Sequence, residues 1–324
     1  MIPKPRKSLD SLATLNRKSR ELAFGLEDID WSVPVDREKP WAPEEVGPIW
    51  FTPTFAELEP AQRVRCNQLH ALRLCEKFIW FEEQLIRAVG NILRERALPV
   101  PLREALEHFV SEETKHVEMF WRLLAKSEPA WYQPREFRLF ELTALQRSGM
   151  NLVVDRPDLL LAWIWVAIFV EERTLYLSRL YMSAAKEAPA GIDALHTRVH
   201  EYHFRDEARH YQLDQHLLTW LYDPQPRWKK TLGAAIFRVM ARAYVAPGGA
   251  TVRIAQQLGH EFPGLRSHII PRLLAEIPAV FRNVEYHRKL FSRASFPHTL
   301  ALLAEYPEHD RLWELFITER KHPA

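Results

Sequence analysis

Two short motifs in this sequence pair a glutamate with a histidine three residues later. They are Glu113-Thr-Lys-His116 and Glu207-Ala-Arg-His210, and each lies in a stretch with helical periodicity. Because residues three apart share one face of an α-helix, each motif can offer a carboxylate and an imidazole to the same metal ion. Oxygen and nitrogen donors without thiolates suit Fe(II) or Mn(II). The two motifs therefore indicate a metal site.

A Glu-Glu doublet follows an apolar stretch in two other segments, FIWFEEQLI and AIFVEERTL. The chain order is thus Glu, Glu-x-x-His, Glu, Glu-x-x-His, which is typical of helical bundles that hold two iron or manganese ions. Charged residues on long helices are usually solvated, but these acids interrupt apolar stripes, and buried carboxylates need partners. Periodicity slightly favours Glu82 in the first doublet and Glu172 in the second. Equivalence of the two halves instead selects Glu83 with Glu172.

A further histidine, His203, stands four residues before Glu207 and so shares its helix face. It can reach the same metal pair as a seventh ligand, or it can be an ordinary core or surface histidine. His200, one turn earlier, fits a position behind the ligands or in the wall of the bundle. The sequence leaves both questions open.

Four long helices must position these residues, and strand signals are nearly absent. Periodicity and Pro or Asp boundaries predict helices over about residues 61–93, 103–124, 158–184 and 192–221, with Asp158 as the N-cap of the third. Shorter helical stretches follow near 228–246, 265–292 and 308–319. We therefore expect an all-α, ferritin-like four-helix bundle with additional peripheral helices. A single domain over 1–324 would comprise an arm (1–55), the core bundle (about 56–222) and C-terminal helices (226–324).

Composition excludes several classes of function. Lys and Arg number 44 and Asp and Glu 42, so the formal charge of +2 gives no reason to expect a nucleic-acid partner. The longest apolar run, Leu159 to Val170, has twelve residues, too few to cross a bilayer, which needs about 20. Cys66 and Cys75 are nine residues apart in one predicted helix, which prevents a disulfide between them. We expect a cytoplasmic protein without a membrane span.

The motifs resemble those of the AurF family, di-iron N-oxygenases whose type member oxidises the amino group of p-aminobenzoate. The resemblance covers about residues 45–220 and rests on LEPAQRV from Leu58, EQLI from Glu83, EETKH from Glu112 and YHFRDEARH from Tyr202. It favours Glu83 over Glu82. It implies that the metal ligands are Glu83, Glu113, His116, Glu172, His203, Glu207 and His210. By the same resemblance, Glu112 and Asp206 orient a histidine across the site.

The resemblance also implies the reaction. Two iron ions, or manganese, would use O₂ to oxidise an arylamine, or an amino acid that is free or tethered to a carrier protein, in natural-product biosynthesis. An external electron donor and a homodimer are expected. The alternatives are an acyl-carrier-protein desaturase-like di-iron oxidase and a non-catalytic ferritin-like metal-binding protein, and a ligating His203 would disfavour the desaturase. A radical-generating subunit with Tyr176 or Tyr202 beside the metals also stays open.

Overall fold

A computed structural model describes residues 7–187 and 191–316, and this part of the chain is all-α, as predicted. Its α-helices are α1 (Leu9–Glu21), α2 (Pro60–Glu95), α3 (Val100–Ser127), α4 (Pro129–Tyr132), α5 (Ala144–Asp155), α6 (Ala162–Glu187), α7 (Ala194–Leu217), α8 (Arg227–Val245), α9 (Gly249–Glu261), α10 (Ile269–Val280), α11 (Val284–Leu290) and α12 (Pro297–Leu303). A π-helical turn, Leu218–Tyr222, extends α7, and a 3₁₀ helix, Pro307–Leu315, ends the described chain.

The four long helices α2, α3, α6 and α7 form the predicted ferritin-like bundle. α2 packs on α3, α6 packs on α7, and contacts of α3 with α7 and of α2 with α6 close the bundle. Local signals set the helix ends. Pro60 occupies the first turn of α2, where its missing N–H costs nothing, and the side chain of Asp193 caps α7 by accepting from the backbone N–H of His196.

The third predicted helix begins later than expected. α6 starts at Ala162, and Asp158 forms an ion pair with Arg96 instead of capping the helix. Every residue of α6 from Ala162 to Val170 is buried, on all sides of the helix, which explains the uniformly apolar sequence of this segment. No helix among the described residues is long and apolar enough to cross a membrane.

Peripheral helices cover the bundle. α1 packs on α3 and α7, α5 and α9 pack on α2, and α8 packs on α6. The predicted stretch 265–292 is divided into α10 and α11, because the side chain of Asn283 caps a new helix by accepting from the N–H groups of Glu285 and Tyr286. Helices α4, α5, α9 and α12 were not predicted, and the end of the predicted 308–319 stretch lies outside the described residues. Cys66 and Cys75 are buried and unbridged.

Candidate metal centre

A group of buried acids and histidines lies between α3 and α7 in the bundle core. Ligand atoms of Glu113, His116, Glu207 and His210 all lie within 4.8 Å of one another. His210 Nδ1 is 2.8 Å from Glu113 Oε1, and His116 Nδ1 is 3.5 Å from Glu207 Oε1. Each histidine therefore approaches the glutamate of the opposite helix as well as its own. This arrangement brings the two Glu-x-x-His motifs into one site.

A second group adjoins the first and contains His203. Ligand atoms of Glu82, His116 and His203 lie within 4.8 Å of one another. His203 Nε2 is 3.2 Å from Glu82 Oε1 and 3.0 Å from Glu207 Oε1, so Glu207 faces both groups. The histidine left open by the sequence thus turns its imidazole into the cluster. This position makes it available as a ligand without any distortion of α7.

Glu171 of α6 completes the cluster from the fourth helix. Its Oε2 atom lies 3.7 Å from His210 Nδ1, and its carboxyl group hydrogen-bonds the carboxylate of Glu207. Each of the four bundle helices therefore contributes at least one side chain. Four glutamates and three histidines converge on one buried volume.

The structure places both sequence-selected members of the doublets, Glu83 and Glu172, outside this cluster. The half-buried Glu83 lines a surface groove beside Trp80 and Gln84. The carboxylate of Glu172 accepts the backbone N–H groups of His298 at 2.8 Å and Thr299 at 2.6 Å, at the start of α12.

In each doublet the preceding residue, Glu82 or Glu171, faces the cluster instead. Adjacent helical residues point about 100° apart, so only one member of a doublet can face the bundle axis. On α2, Phe78 marks that face. It lies one turn before Glu82, and the centroid of its ring is 5.6 Å from that of the His203 ring. On α6 periodicity favoured Glu172, but both sides of the helix are buried, so the apolar positions do not distinguish the face of Glu171 from that of Glu172.

The acids that precede the two motifs pair with histidines across the site. His116 Nε2 donates to Asp206 Oδ2 at 2.9 Å, and His210 Nε2 donates to Glu112 Oε2 at 2.9 Å. This is the cross-helix pairing expected of Glu112 and Asp206. With Nε2 carrying the proton, the Nδ1 lone pair of each imidazole is directed into the cluster.

Two cations that the sequence analysis did not single out hold these acids in their ionised form. Arg209 donates to Glu112 Oε1 at 2.7 Å and also to Asp206, and Lys115 donates to Asp206 Oδ2 at 2.6 Å. Burial opposes ionisation of Asp206, but His116 and Lys115 lower its pKa below the usual range. Both cations occupy the position before the histidine in Glu-x-x-His, which is the sequence signal that could have identified them.

The buried acids and histidines of the cluster shift one another's pKa values. Burial raises the pKa of Glu82 to about 7 and that of Glu171 well above its usual range. Burial opposes the charged form of His203, yet Glu207 and Glu82 raise its pKa to about 10. Burial likewise disfavours the charged form of Glu207, but His203 keeps its pKa well below the ordinary value. Protons on the imidazoles thus balance part of the negative charge.

The donor set fits a pair of divalent cations. Both carboxylate oxygens of Glu113 and the Nδ1 atoms of His116 and His210 are buried, and they face one another without a well-aligned hydrogen bond. Buried polar atoms in that state are costly, and metal ions would satisfy them. Four carboxylates also match the charge of two divalent ions. The mixed oxygen and imidazole set, with a bundle helix behind each carboxylate, is that of di-iron and di-manganese bundle proteins.

Two tyrosines and one histidine that the sequence left open lie away from the donors. Tyr202 donates its hydroxyl to the carbonyl of Asp28, and Tyr176 donates to the carbonyl of Lys289. The ring of His200 stacks on Tyr181 with centroids 3.8 Å apart, and neither of its nitrogens has a hydrogen-bond partner. His200 therefore belongs to the aromatic wall of the bundle.

Comparison with known proteins agrees with this geometry. No curated protein matches the chain. The family model of the p-aminobenzoate N-oxygenase AurF matches residues 6–269, which include all four bundle helices and every acid and histidine of the cluster. The chain therefore belongs to the AurF family of di-iron N-oxygenases.

Proposed function

We propose that this protein oxidises the amino group of a small arylamine at a di-iron centre. The observation that carries the proposal is the convergence of buried acids and histidines from all four bundle helices, in a chain of the AurF family. The proposed ligands are one member of the Glu-Glu doublet on each of α2 and α6, the glutamate and histidine of each Glu-x-x-His motif on α3 and α7, and the additional histidine of α7. They are Glu82, Glu113, His116, Glu171, His203, Glu207 and His210.

The surrounding residues prepare this site before any metal enters. Asp206 and Glu112 fix the tautomer of His116 and His210 through their Nε2 atoms. Arg209 bridges the two acids, so the orientation of one imidazole is coupled to that of the other. Such pre-positioned donors reduce the rearrangement that metal binding requires.

Aromatic side chains keep the cluster dry. The ring of Phe120 lies 4.8 Å from the ring of His203, and Phe109 lies 4.7 Å from that of His210. Phe78 closes the same side as Phe120. Exclusion of water strengthens electrostatic interactions in the site and protects reactive oxygen species from side reactions.

Two iron ions would supply the reduction of O₂ and the transfer of one oxygen atom to the amine nitrogen. When one atom of O₂ enters the product and the other becomes water, two electrons are consumed. We therefore propose a separate electron donor. A homodimer and a cytoplasmic location are further proposals, and the unbridged, buried Cys66 and Cys75 agree with a reducing compartment.

The test is incubation of the iron-loaded, reduced protein with O₂ and a panel of arylamines and amino acids, followed by mass spectrometry. We expect p-aminobenzoate or a related arylamine to gain one oxygen atom, or to be converted to its nitro product. Glu113→Ala should abolish both metal and product. Glu107→Ala, which removes an exposed acid from the same helix, is the matched control.

Two results would contradict the proposal. One is full metal retention by Glu113→Ala. The other is a fully loaded parent protein that oxidises no amine on the panel while it desaturates an acyl chain.

A further inference from the structure

Helix α8 has an exposed apolar stripe along its outer face. The stripe consists of Trp228, Leu232, Ala235, Val239 and Ala243. A spacing of three or four residues keeps these positions on one face of the helix. The large side chains Trp228, Leu232 and Val239 are 57%, 38% and 67% exposed. Contiguous apolar side chains left in solvent mark a site of interaction.

The opposite face of α8 is already occupied by the bundle. Phe237 is buried there, and the centroid of its ring is 6.0 Å from that of Phe169 on α6. Ala234 and Ala241 are buried beside it. The packed face therefore holds α8 on the bundle, and the stripe contributes nothing to that contact.

Basic residues accompany the stripe. α8 carries five of them and no acidic residue; they are Arg227, Lys229, Lys230, Arg238 and Arg242. Arg238 and Arg242 lie 11 and 15 residues after Arg227, which is about three and four turns, so the three arginines follow one edge of the stripe. Within residues 7–187 and 191–316, no acid forms an ion pair with any of the five. Their charge is available to a partner.

The charge and the size of this surface favour a small acidic protein as its occupant. Two copies of α8 packed on each other would bring basic residues together without an acid from either helix, which is costly. The stripe is about 22 Å long and about 10 Å wide, or roughly 200 Å². A stable complex buries about 800 Å² on each partner, whereas complexes of electron-transfer proteins are among the smallest.

Aromatic rings connect α8 with the helix that carries Glu171. Lys230 Nζ lies 5.6 Å from the centroid of the Tyr222 ring, and that ring lies 5.6 Å from the ring of Trp165 on α6. Tyr222 and Trp165 are both buried. Trp165 is six residues before Glu171, or about 9 Å along the helix axis. A continuous path of packed side chains and helix backbone thus leads from α8 toward the metal donors.

We propose that the α8 stripe and its arginine edge form the docking surface for an acidic electron-transfer protein. The inference rests on the proposed function, in which one turnover consumes two electrons from outside the chain. The partner is oxidised by two electrons in total and the metal centre is reduced by two, and no atoms pass between the proteins. Carboxylates of the partner would meet the arginines, and its apolar surface would cover Trp228.

The first experiment measures binding to the iron-loaded protein by calorimetry, with an acidic plant-type [2Fe–2S] ferredoxin and an acidic flavodoxin as probes. At least one should bind at low ionic strength and weaken as salt is added. Arg238→Glu should weaken binding at least about tenfold. Lys18→Glu makes the same charge change at an exposed position of α1 and should bind as the parent does. Absence of binding by both probes, or equal binding by the two variants, would overturn the proposal.

The second experiment measures the rate at which each reductant reduces the oxidised, iron-loaded protein. Reduction by ferredoxin should be at least about tenfold slower in Arg238→Glu than in Lys18→Glu. Dithionite is a small reductant that needs no docking surface, so it should reduce both variants equally fast, which also shows that their metal sites are intact. Equal rates with ferredoxin would refute the docking surface. If the dithionite-reduced parent oxidises no amine, the proposed function fails while both docking measurements stand.

A third experiment tests the other possible occupants of the stripe. Sedimentation of the parent and of Val239→Asp shows whether the stripe joins two copies of the chain. Cosedimentation of the parent and of Trp228→Ser with anionic phospholipid vesicles shows whether it binds a lipid surface. We expect the substitutions to change neither result. A dimer that dissociates in Val239→Asp, or vesicle binding that is lost in Trp228→Ser, would overturn the assignment to an acidic protein.

Discussion

Glu171 and Glu172 are adjacent on α6, and the proposed ligand set predicts opposite effects when each is substituted. Glu171 faces the metal donors, whereas Glu172 holds the first turn of α12 through two backbone N–H groups. Glu171→Gln should therefore reduce metal affinity with little effect on the metal-free fold. Glu172→Gln should do the reverse. The two variants are matched in chemistry and differ only in the direction of the side chain.

The structure sets the size of each effect. Loss of a residue that merely orients a ligand costs about 10–100-fold in metal affinity, so loss of Glu171 itself should cost at least about 100-fold, or about 2.7 kcal/mol. Burial raises the pKa of Glu171 well above its usual range, so glutamine resembles its protonated form in the metal-free protein. Glu172→Gln replaces a charged acceptor of two buried N–H groups, which should lower the free energy of unfolding by about 1–3 kcal/mol.

The assay has two readouts on each variant. Competition with a chromophoric chelator measures metal affinity, and urea unfolding of the metal-free protein measures stability. The pair Glu82→Gln and Glu83→Gln on α2 repeats the metal test, with only the former expected to lose affinity. If Glu172→Gln loses its metal while Glu171→Gln keeps it, the proposed ligand set is wrong.

Three further outcomes follow from the contacts around the site and in the core. Asp206→Asn should weaken metal binding about 10–100-fold by removing the anion that orients His116, and equal affinity in a chelator competition would refute that role. Metal loading at pH 7 should release protons, and one of them should come from His203, because its pKa is raised to about 10. Calorimetric heats that are equal in buffers of different ionisation enthalpy would show that no proton is released. Burial lowers the pKa of His196, beside Ser127, to about 3, so its neutral form stabilises the fold above pH 6.5 and this stability is lost as pH falls toward 3. About 2 kcal/mol should be lost at pH 5, and His196→Asn should unfold in urea with a smaller difference between pH 7 and pH 5.

The bundle was predictable because its four helices carry long, well-bounded periodic patterns. The smaller elements were less so. The division between α10 and α11 depends on the Asn283 side chain, which caps α11 in the middle of a continuous apolar pattern. The late start of α6 is accompanied by an ion pair of Asp158 with Arg96, the residue that follows α2. Neither a capping side chain nor an ion pair between distant residues leaves a periodic signal in the sequence.

A group of cations on the outer side of α2 and α6, formed by Arg73, Lys77 and Arg173, could not be predicted from the sequence either. Arg73 and Lys77 are four residues apart, which is an ordinary pattern for a solvated helix face. Only the coverage by Tyr244 and the approach of Arg173 from α6 make them a buried group. The sequence shows their charge and spacing, and the fold determines how far they are buried.

The candidate metal centre itself divides into a part that sequence determines and a part that it does not. In the motif acid-Glu-x-x-His, the glutamate and histidine share one face, and the preceding acid must point about 100° away, toward the neighbouring helix. In Glu112-Glu113 that direction leads to the far nitrogen of His210, and in Asp206-Glu207 it leads to that of His116. The two motifs thus fix each other's register. The Glu-Glu doublets on α2 and α6 are not followed by a histidine that would fix their orientation. Equivalence of the two halves of the bundle requires only that the ligand be the first glutamate in both doublets or the second in both. The choice between these two possibilities rests on packing, through Phe78 against His203 on α2 and through the capping of α12 by Glu172 on α6.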